Sequence, residues 1–401
     1  MKLTRNFSLV NGACLTAVAA SIFVLTACGG GGGSSTTSST AKTVSYQRAY
    51  ASGRVAGFGS VIINGVHYDE TTANVVDDDG VAHASTDLKL GMMAEVQASD
   101  FGQTNSVTTA TAQSITVKSL MRGPVESSTA DSLVIFGQTV KVTATTVFDT
   151  SLVGGLAAVK TGDVVKIYGT LDTVSGVYTA TRIEPKSGAE LFSLRGSVTS
   201  YDAISKTLAI GPTLIDVSAV VLPDGITAGS LVRVKLQVSP VIGKWVAVSV
   251  KSGLSTPHDN DHSEVEGTIT DFTSASAFSV DGLPVDASKA VFPDGSVNLV
   301  KGTRVEVEGA VVSGVLVATK VEIKTDKDEQ DQGFDIEGAI TALDTLKSTL
   351  VVHGVTVNFT GTVTLVGGVI ADLIVGAKVE VLGALAADGT AVNATQIKFK
   401  H

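Results

Sequence analysis

Aromatic side chains are only 5% of the 401 residues, there are 2 cysteines and 8 prolines, and charged residues make up just 17% of the chain. Each shortage excludes something. So few rings, with a net charge of -10 and no run of Lys and Arg, leave neither a stacking platform nor a basic surface for a polyanion, so nucleic acid is excluded as a partner. Low charge beside 44% hydrophobic residues excludes global disorder, because ample apolar surface is available to bury. Also absent are G-x-S-x-G, H-E-x-x-H and a Gly-rich phosphate loop ahead of a helix. The chain is therefore read as a non-enzyme.

What is present begins with an address. Lys2 and Arg5 form a positive start, and Cys14 to Ala27 is almost wholly apolar or small, the pattern of a secretory signal (1–27) and too short to favour a spanning helix. It ends in Leu25-Thr26-Ala27-Cys28, which resembles the lipobox of bacterial lipoproteins, so Cys28 is the expected lipidation site. That resemblance, with Gly29 rather than Asp after the cysteine, implies an outer-membrane lipoprotein, periplasm-facing or surface-exposed, that meets the membrane through its lipid. Gly29 to Gly33 and the Ser/Thr run to Thr40 make residues 28–47 a flexible tether, holding the first domain on the order of 20 Å from the lipid surface. With Cys14 removed and Cys28 lipidated, no disulfide remains, and loss of Lys2 and Arg5 leaves 27 basic against 39 acidic residues, a balance of -12.

The rest is repetitive. Ser52-Gly53-Arg54-Val55, Arg122-Gly123-Pro124-Val125, Arg195-Gly196-Ser197-Val198, Glu266-Gly267-Thr268-Ile269 and Glu337-Gly338-Ala339-Ile340 recur with glycine spacings of 70, 73, 71 and 71. A second anchor, Gly91, Gly162, Gly229, Gly302 and Gly376, keeps step, and an Ala-centred segment such as Val317-Ala318-Thr319 closes each copy. Segments between anchors are short, β-branched and alternating, with turn signals at Asn64-Gly65, Asp224-Gly225, Asp281-Gly282, Asp294-Gly295 and Asp388-Gly389. Only Leu152 to Val159 offers a turn or two of helix. The expected fold is all-β, a tandem array of five small OB-like β-barrel domains with five to six strands each. The copies span 48–119, 120–187, 188–252, 264–324 and 334–401, with polar linkers at 253–263 and 325–333. Alternation turns Ala94/Val96, Val165/Ile167, Val232/Val234, Val305/Val307 and Val379/Val381 inward, and Glu95, Lys166, Arg233, Glu306 and Glu380 toward solvent. The inward set is uniform and the outward set changes sign, so the repeat encodes a fold and not a repeated catalytic residue.

Gly57-Phe58-Gly59-Ser60-Val61-Ile62-Ile63-Asn64-Gly65-Val66, with the Leu90-Gly91 anchor and the Ala-Thr closing segments, resembles the bacterial repeat family catalogued as domain of unknown function 5666. The resemblance covers roughly Ser52 to Lys400. It implies a secreted or lipid-anchored protein with several copies per chain, and supplies no activity.

Candidate site residues are few. His258, Asp259, Asp261 and His262 lie within five positions and carry imidazole and carboxylate ligands suited to a divalent metal ion, although the surrounding composition is that of a solvated linker. Otherwise no cofactor is expected. Asp77-Asp78-Asp79-Gly80 lacks the spacing of a Ca²⁺ loop and reads as a polar hairpin tip. The acidic stretch 326–331 reads as a solubilising spacer. His67, His83 and His353 read as ordinary histidines without a Ser or Cys partner, and Trp245 as a plug between barrels. The first copy departs most from its siblings, so a binding surface is expected at Phe58, Asn64 and Tyr68. The function reading is a multi-domain interaction scaffold for an envelope protein or polysaccharide, the alternative a metal-binding or hydrolytic accessory protein using His258 and His262.

Overall fold

The structure, a computed structural model, describes residues 48–104, 106–188 and 191–400. Cys28, the signal and the tether lie outside the described residues. Those described fall in one unit, Thr43–His401. No helix among them is long and apolar enough to cross a membrane.

Each copy folds by the same pairing rule, seen most simply in the fourth. Strand His262–Ser274 runs antiparallel to Ala277–Val280, which turns back along Leu283–Asp286. Leu283–Asp286 pairs in parallel with the last strand, Val315–Ile323, whose hairpin partner Arg304–Val312 returns to pair with His262–Ser274. The ring is thereby closed with five strands. The same five pairings close the first, second, third and fifth copies. The inward residues expected from alternation line these rings: Val96, Val165, Ile167, Val234, Val305, Val307, Val379 and Val381 are all 0% exposed. Helix is scarce, and Leu152 to Val159 holds only a 3-10 turn, Gly155–Ala158.

The first anchor glycine has a packing explanation. In four copies the second and third strands are joined by a two-residue turn with both residues at positive φ: Asn64-Gly65, Phe136-Gly137, Asp281-Gly282 and His353-Gly354. The first residue of each turn folds its side chain over the anchor glycine. A Cβ on Gly53 would lie 2.1 Å from Asn64 Oδ1, on Gly123 2.2 Å from the Phe136 ring, on Gly267 2.5 Å from Asp281 Oδ2 and on Gly338 3.0 Å from His353. The third copy has Gly211-Pro212 instead, and there Ile210 and the Tyr178 hydroxyl of the second copy cover Gly196.

The five rings are fused. The first strand of copy one, Ala49–Phe58, pairs in parallel with copy four from Ala49↔His262 to Ser52↔Val265, and again with copy five at Gly57↔Asp335 and Phe58↔Ile336. Copies two and three join through Ser193↔Arg122 and Leu194↔Met121. One apolar cluster accordingly contains residues of copies one and five, and another residues of copies two and three.

This fusion overturns the expectation that the outward residues of the second-anchor strands face solvent. Arg233 and Glu306 are buried, and Glu95, Lys166 and Glu380 are half-buried. Arg233 of copy three reaches into copy one, its Nη1 2.5 Å from Asp79 Oδ1, while Arg195 Nη2 lies 3.0 Å from Asp78 Oδ1. The tip at 77–80 is thus clamped between copies. Of the five, Arg233 pairs across a seam, whereas Glu95, Glu306 and Glu380 pair with Lys118, Lys324 and Lys398 of their own copies.

The acidic spacer is likewise ordered structure. Thr325 caps helix Asp326–Gln332, accepting from Asp328 N. Its Glu329 is buried, accepts a hydrogen bond from Thr145 Oγ1 of copy two at 2.7 Å and pairs with Arg304 of copy four. Despite its burial, the Arg304 and Arg54 charges hold the Glu329 carboxyl below the usual range. At the other linker, strand His262–Ser274 begins inside the stretch read as loop.

Candidate functional site

The three residues expected to form a surface in the first copy are turned to the protein itself. Phe58 is 3% exposed and its ring stacks on His353 of copy five, with centroids 5.2 Å apart. Asn64 Nδ2 donates to Ser52 O at 3.1 Å and to Glu264 O of copy four at 3.2 Å. Tyr68 is 1% exposed, and burial raises its hydroxyl pKa well above the ordinary value. The physical reason for copy one's departures is that it receives its siblings. A Cβ on Gly57 would stand 2.1 Å from Asp335 O, so the two glycines around Phe58 admit a neighbouring strand rather than a ligand.

The histidine and aspartate ligands of 258–262 do not converge. His258, Asp259 and Asp261 are exposed, whereas His262 is half-buried, stacks on Phe101 and places Nε2 3.1 Å from Glu264 Oε1. The loop is stitched to the strands beside it: Asn260 N donates to Val311 O at 3.0 Å and Asp261 N to Arg48 O at 3.1 Å. Three ligand atoms within 4.8 Å of one another occur instead at Glu306, Glu308 and Glu322. Lysines occupy that cluster. Lys324 Nζ lies 2.8 Å from Glu306, and Lys320 Nζ lies 2.7 and 2.9 Å from Glu308 and Glu322. Burial, opposed by Lys324, pushes the Glu306 carboxyl up to about 7.

One of the single-histidine readings needs correction. His67 does have a serine partner, with Ser60 Oγ 3.2 Å from Nδ1. Among the described residues no carboxylate hydrogen-bonds its ring, burial lowers its pKa, and the contact ties strand Val66–Asp69 to the turn that precedes Val61–Ile63. His83 stands between Asp77 and Asp87 at 3.4 and 3.8 Å. Trp245 plugs the seam of copies two and three as expected, edge-on to Phe136 at 4.9 Å and to Phe192 at 5.9 Å.

Several concavities lie at seams, a small and a larger one among them. A cavity of about 80 Å³ is lined by Tyr50, Glu95 and Lys118 of copy one, Arg195 of copy three and Asp281 of copy four. Its charges are matched: Glu95 to Lys118 at 3.1 Å, and Arg195 to Asp78 and to Gly253 O at 2.6 Å. Burial, with Glu95 and Glu266 nearby, pushes the Asp281 carboxyl up to about 6, against donation from Thr268 N and the Arg195 charge.

The larger one is a groove of about 470 Å³ between copies one and two. Val75, Leu88, Met92 and Val117 of copy one supply apolar walls, and strand Val164–Leu171 of copy two presents Lys166 and Tyr168. Arg182 holds the far wall, donating to Leu90 O of copy one at 3.1 Å and pairing with Asp149 at 3.2 Å and Glu184 at 2.7 Å. Sequence reasoning saw Lys166 as one outward residue among five and had no signal for its neighbours, because Val75, Leu88 and Met92 come from another copy.

Three segments of the chain, residues 122–184, 266–322 and 337–398, match the family described as domain of unknown function (DUF5666), so the chain carries repeated domains of that family. They fall in copies two, four and five. Copies one and three, outside the matched segments, carry respectively an added hairpin of Asn74–Asp77 and Ala82–His83 and the Gly211-Pro212 turn. No curated protein matches the chain.

Proposed function

We propose that this protein is a non-enzymatic binding module of the bacterial cell envelope, lipidated at Cys28, and that its ligand site is the groove between copies one and two. The observation carrying this reading is the groove itself. It has the size of a small-ligand site, apolar walls and a few converging polar groups. It is also composite: neither copy encloses it alone, which suits a chain whose repeated positions carry no repeated chemistry. Association with the outer membrane rests on the lipobox-like Leu25-Thr26-Ala27-Cys28 and the Gly-rich tether.

A photo-crosslinking amino acid at Ser151, on the groove rim, should give a discrete adduct in envelope extract. The same probe at Ile204, an exposed position elsewhere, should not. Identical adduct patterns from both positions would refute the groove as the site.

A further inference from the structure

The groove's charges are unevenly satisfied. Asp77 and Asp87 flank His83. Asp149 pairs with Arg182, and Glu184 with both Arg182 and Lys186, the latter at 2.9 Å. Lys89 Nζ donates to Thr86 O at 2.9 Å. Lys166 is the exception among the described residues lining the groove: its ammonium meets no carboxylate and no carbonyl, only the face of the Tyr168 ring, 5.1 Å from the centroid. A ring face returns less to a cation than a half-buried ammonium gives up in leaving water. Burial lowers the Lys166 pKa accordingly, although Glu184 opposes the shift.

Resting on the groove reading above, we infer that the groove binds a small carboxylate-bearing ligand with an apolar body, its carboxylate on Lys166 and its body against Leu88, Met92 and Val117. A single ammonium is a point charge with three donors, and a carboxylate satisfies it without the bidentate fork of an arginine. The ligand's charge is limited by its surroundings. Asp77, Asp87, Asp149 and Glu184 all line the same groove, so a second negative charge meets repulsion from four carboxylates, with Lys89, already donating to Thr86 O, the one other groove cation among the described residues without a carboxylate partner. This favours a monoanion over a phosphate dianion.

The full chain with its lysines ¹³C-dimethylated offers a direct readout, the Lys166 resonance being assigned by its absence in Lys166→Met. Hexanoate, hexan-1-ol and hexyl phosphate share one apolar body and differ in charge. Hexanoate should shift the Lys166 resonance saturably, bind at least tenfold tighter than hexan-1-ol, and lose that advantage in Lys166→Met. Equal affinities for hexanoate and hexan-1-ol in the wild-type protein would overturn the carboxylate assignment while leaving the groove as a site. No binding of any probe would overturn both readings, and tighter binding of hexyl phosphate than of hexanoate would overturn the choice of a monoanion.

Discussion

The Phe58 ring of the first copy lies 15° from parallel with the His353 ring of the fifth, and His353 is also the turn residue that covers its own copy's anchor glycine, Gly338. One side chain therefore serves a barrel internally and a junction externally. Asn64 does the same, sitting over Gly53 while bonding Glu264 O of copy four, as does Phe136, over Gly123 while packing on Trp245 of copy three. The turn position can vary in identity because its outer partner differs in each copy, while the glycine beneath it cannot.

Gly57 tests this account of copy one as the receiver. Gly57→Val should cost about 2–4 kcal/mol, because its Cβ would meet the Asp335 carbonyl, which is backbone and cannot swing aside. Gly65→Ala, with nothing within 4 Å but φ at 78°, should cost only about 1–2 kcal/mol. Denaturant midpoints of the two variants decide the matter, and equal losses would remove the docking explanation.

Glu329 makes a second case. Glu329→Ala leaves the Thr145 hydroxyl without its acceptor and Arg304 with Glu266 as its close partner, so a loss of about 2–4 kcal/mol is expected. Limited proteolysis gives an independent view. In the wild-type protein the first cuts should fall in 253–261, which lies outside the strands, while 325–333 resists because it is helical and pinned. In Glu329→Ala the second stretch should open as well. Cleavage of 325–333 ahead of 253–261 in the wild type would contradict the pinning of that helix by Glu329.

These outcomes mark where the sequence was legible. The closed five-stranded rings follow from alternation and turn signals, both local, so Val305 and Val307 could be assigned inward from spacing alone. Seams are not local. Nothing near Arg233 in the chain points to Asp78 and Asp79, more than 150 positions earlier, and an outward arginine facing water has the same pattern as one facing another barrel. Phe58 misled for the same reason: its flanking glycines signal close approach but not of what. The 326–331 stretch misled because acidic composition hid a capped helix with a buried carboxylate.

The anchor is testable without the fold. Cys28→Ser should leave the protein in the soluble fraction or unprocessed, because with Cys14 removed in the expected signal the Cys28 thiol is the one left to carry the expected diacyl group. Fractionation of membrane and soluble material, with intact mass on the wild type, is the measurement. A wild-type mass without the diacyl group, or equal partitioning of wild type and a processed variant, would end the claim.

Asp281 sets the sign of a pH effect at the smaller seam cavity. Its carboxyl titrates at about 6 in the folded protein against an ordinary 3.8, so between these values the native state holds more proton than the unfolded chain. Stability from this group is therefore greatest when it is protonated and falls as pH rises from about 4 to 6, by about 3 kcal/mol at most. The facing groups are Arg195, which favours the charged form, and Glu95 and Glu266, which oppose it. Asp281→Asn keeps an acceptor for Thr268 N but carries no charge, so it should raise the melting temperature at pH 8 and leave it nearly unchanged at pH 4. A variant less stable than wild type at pH 8 would mean that the ionised carboxylate is held favourably by Arg195, and the cavity would then be an ion-pair site rather than a place where burial works against charge.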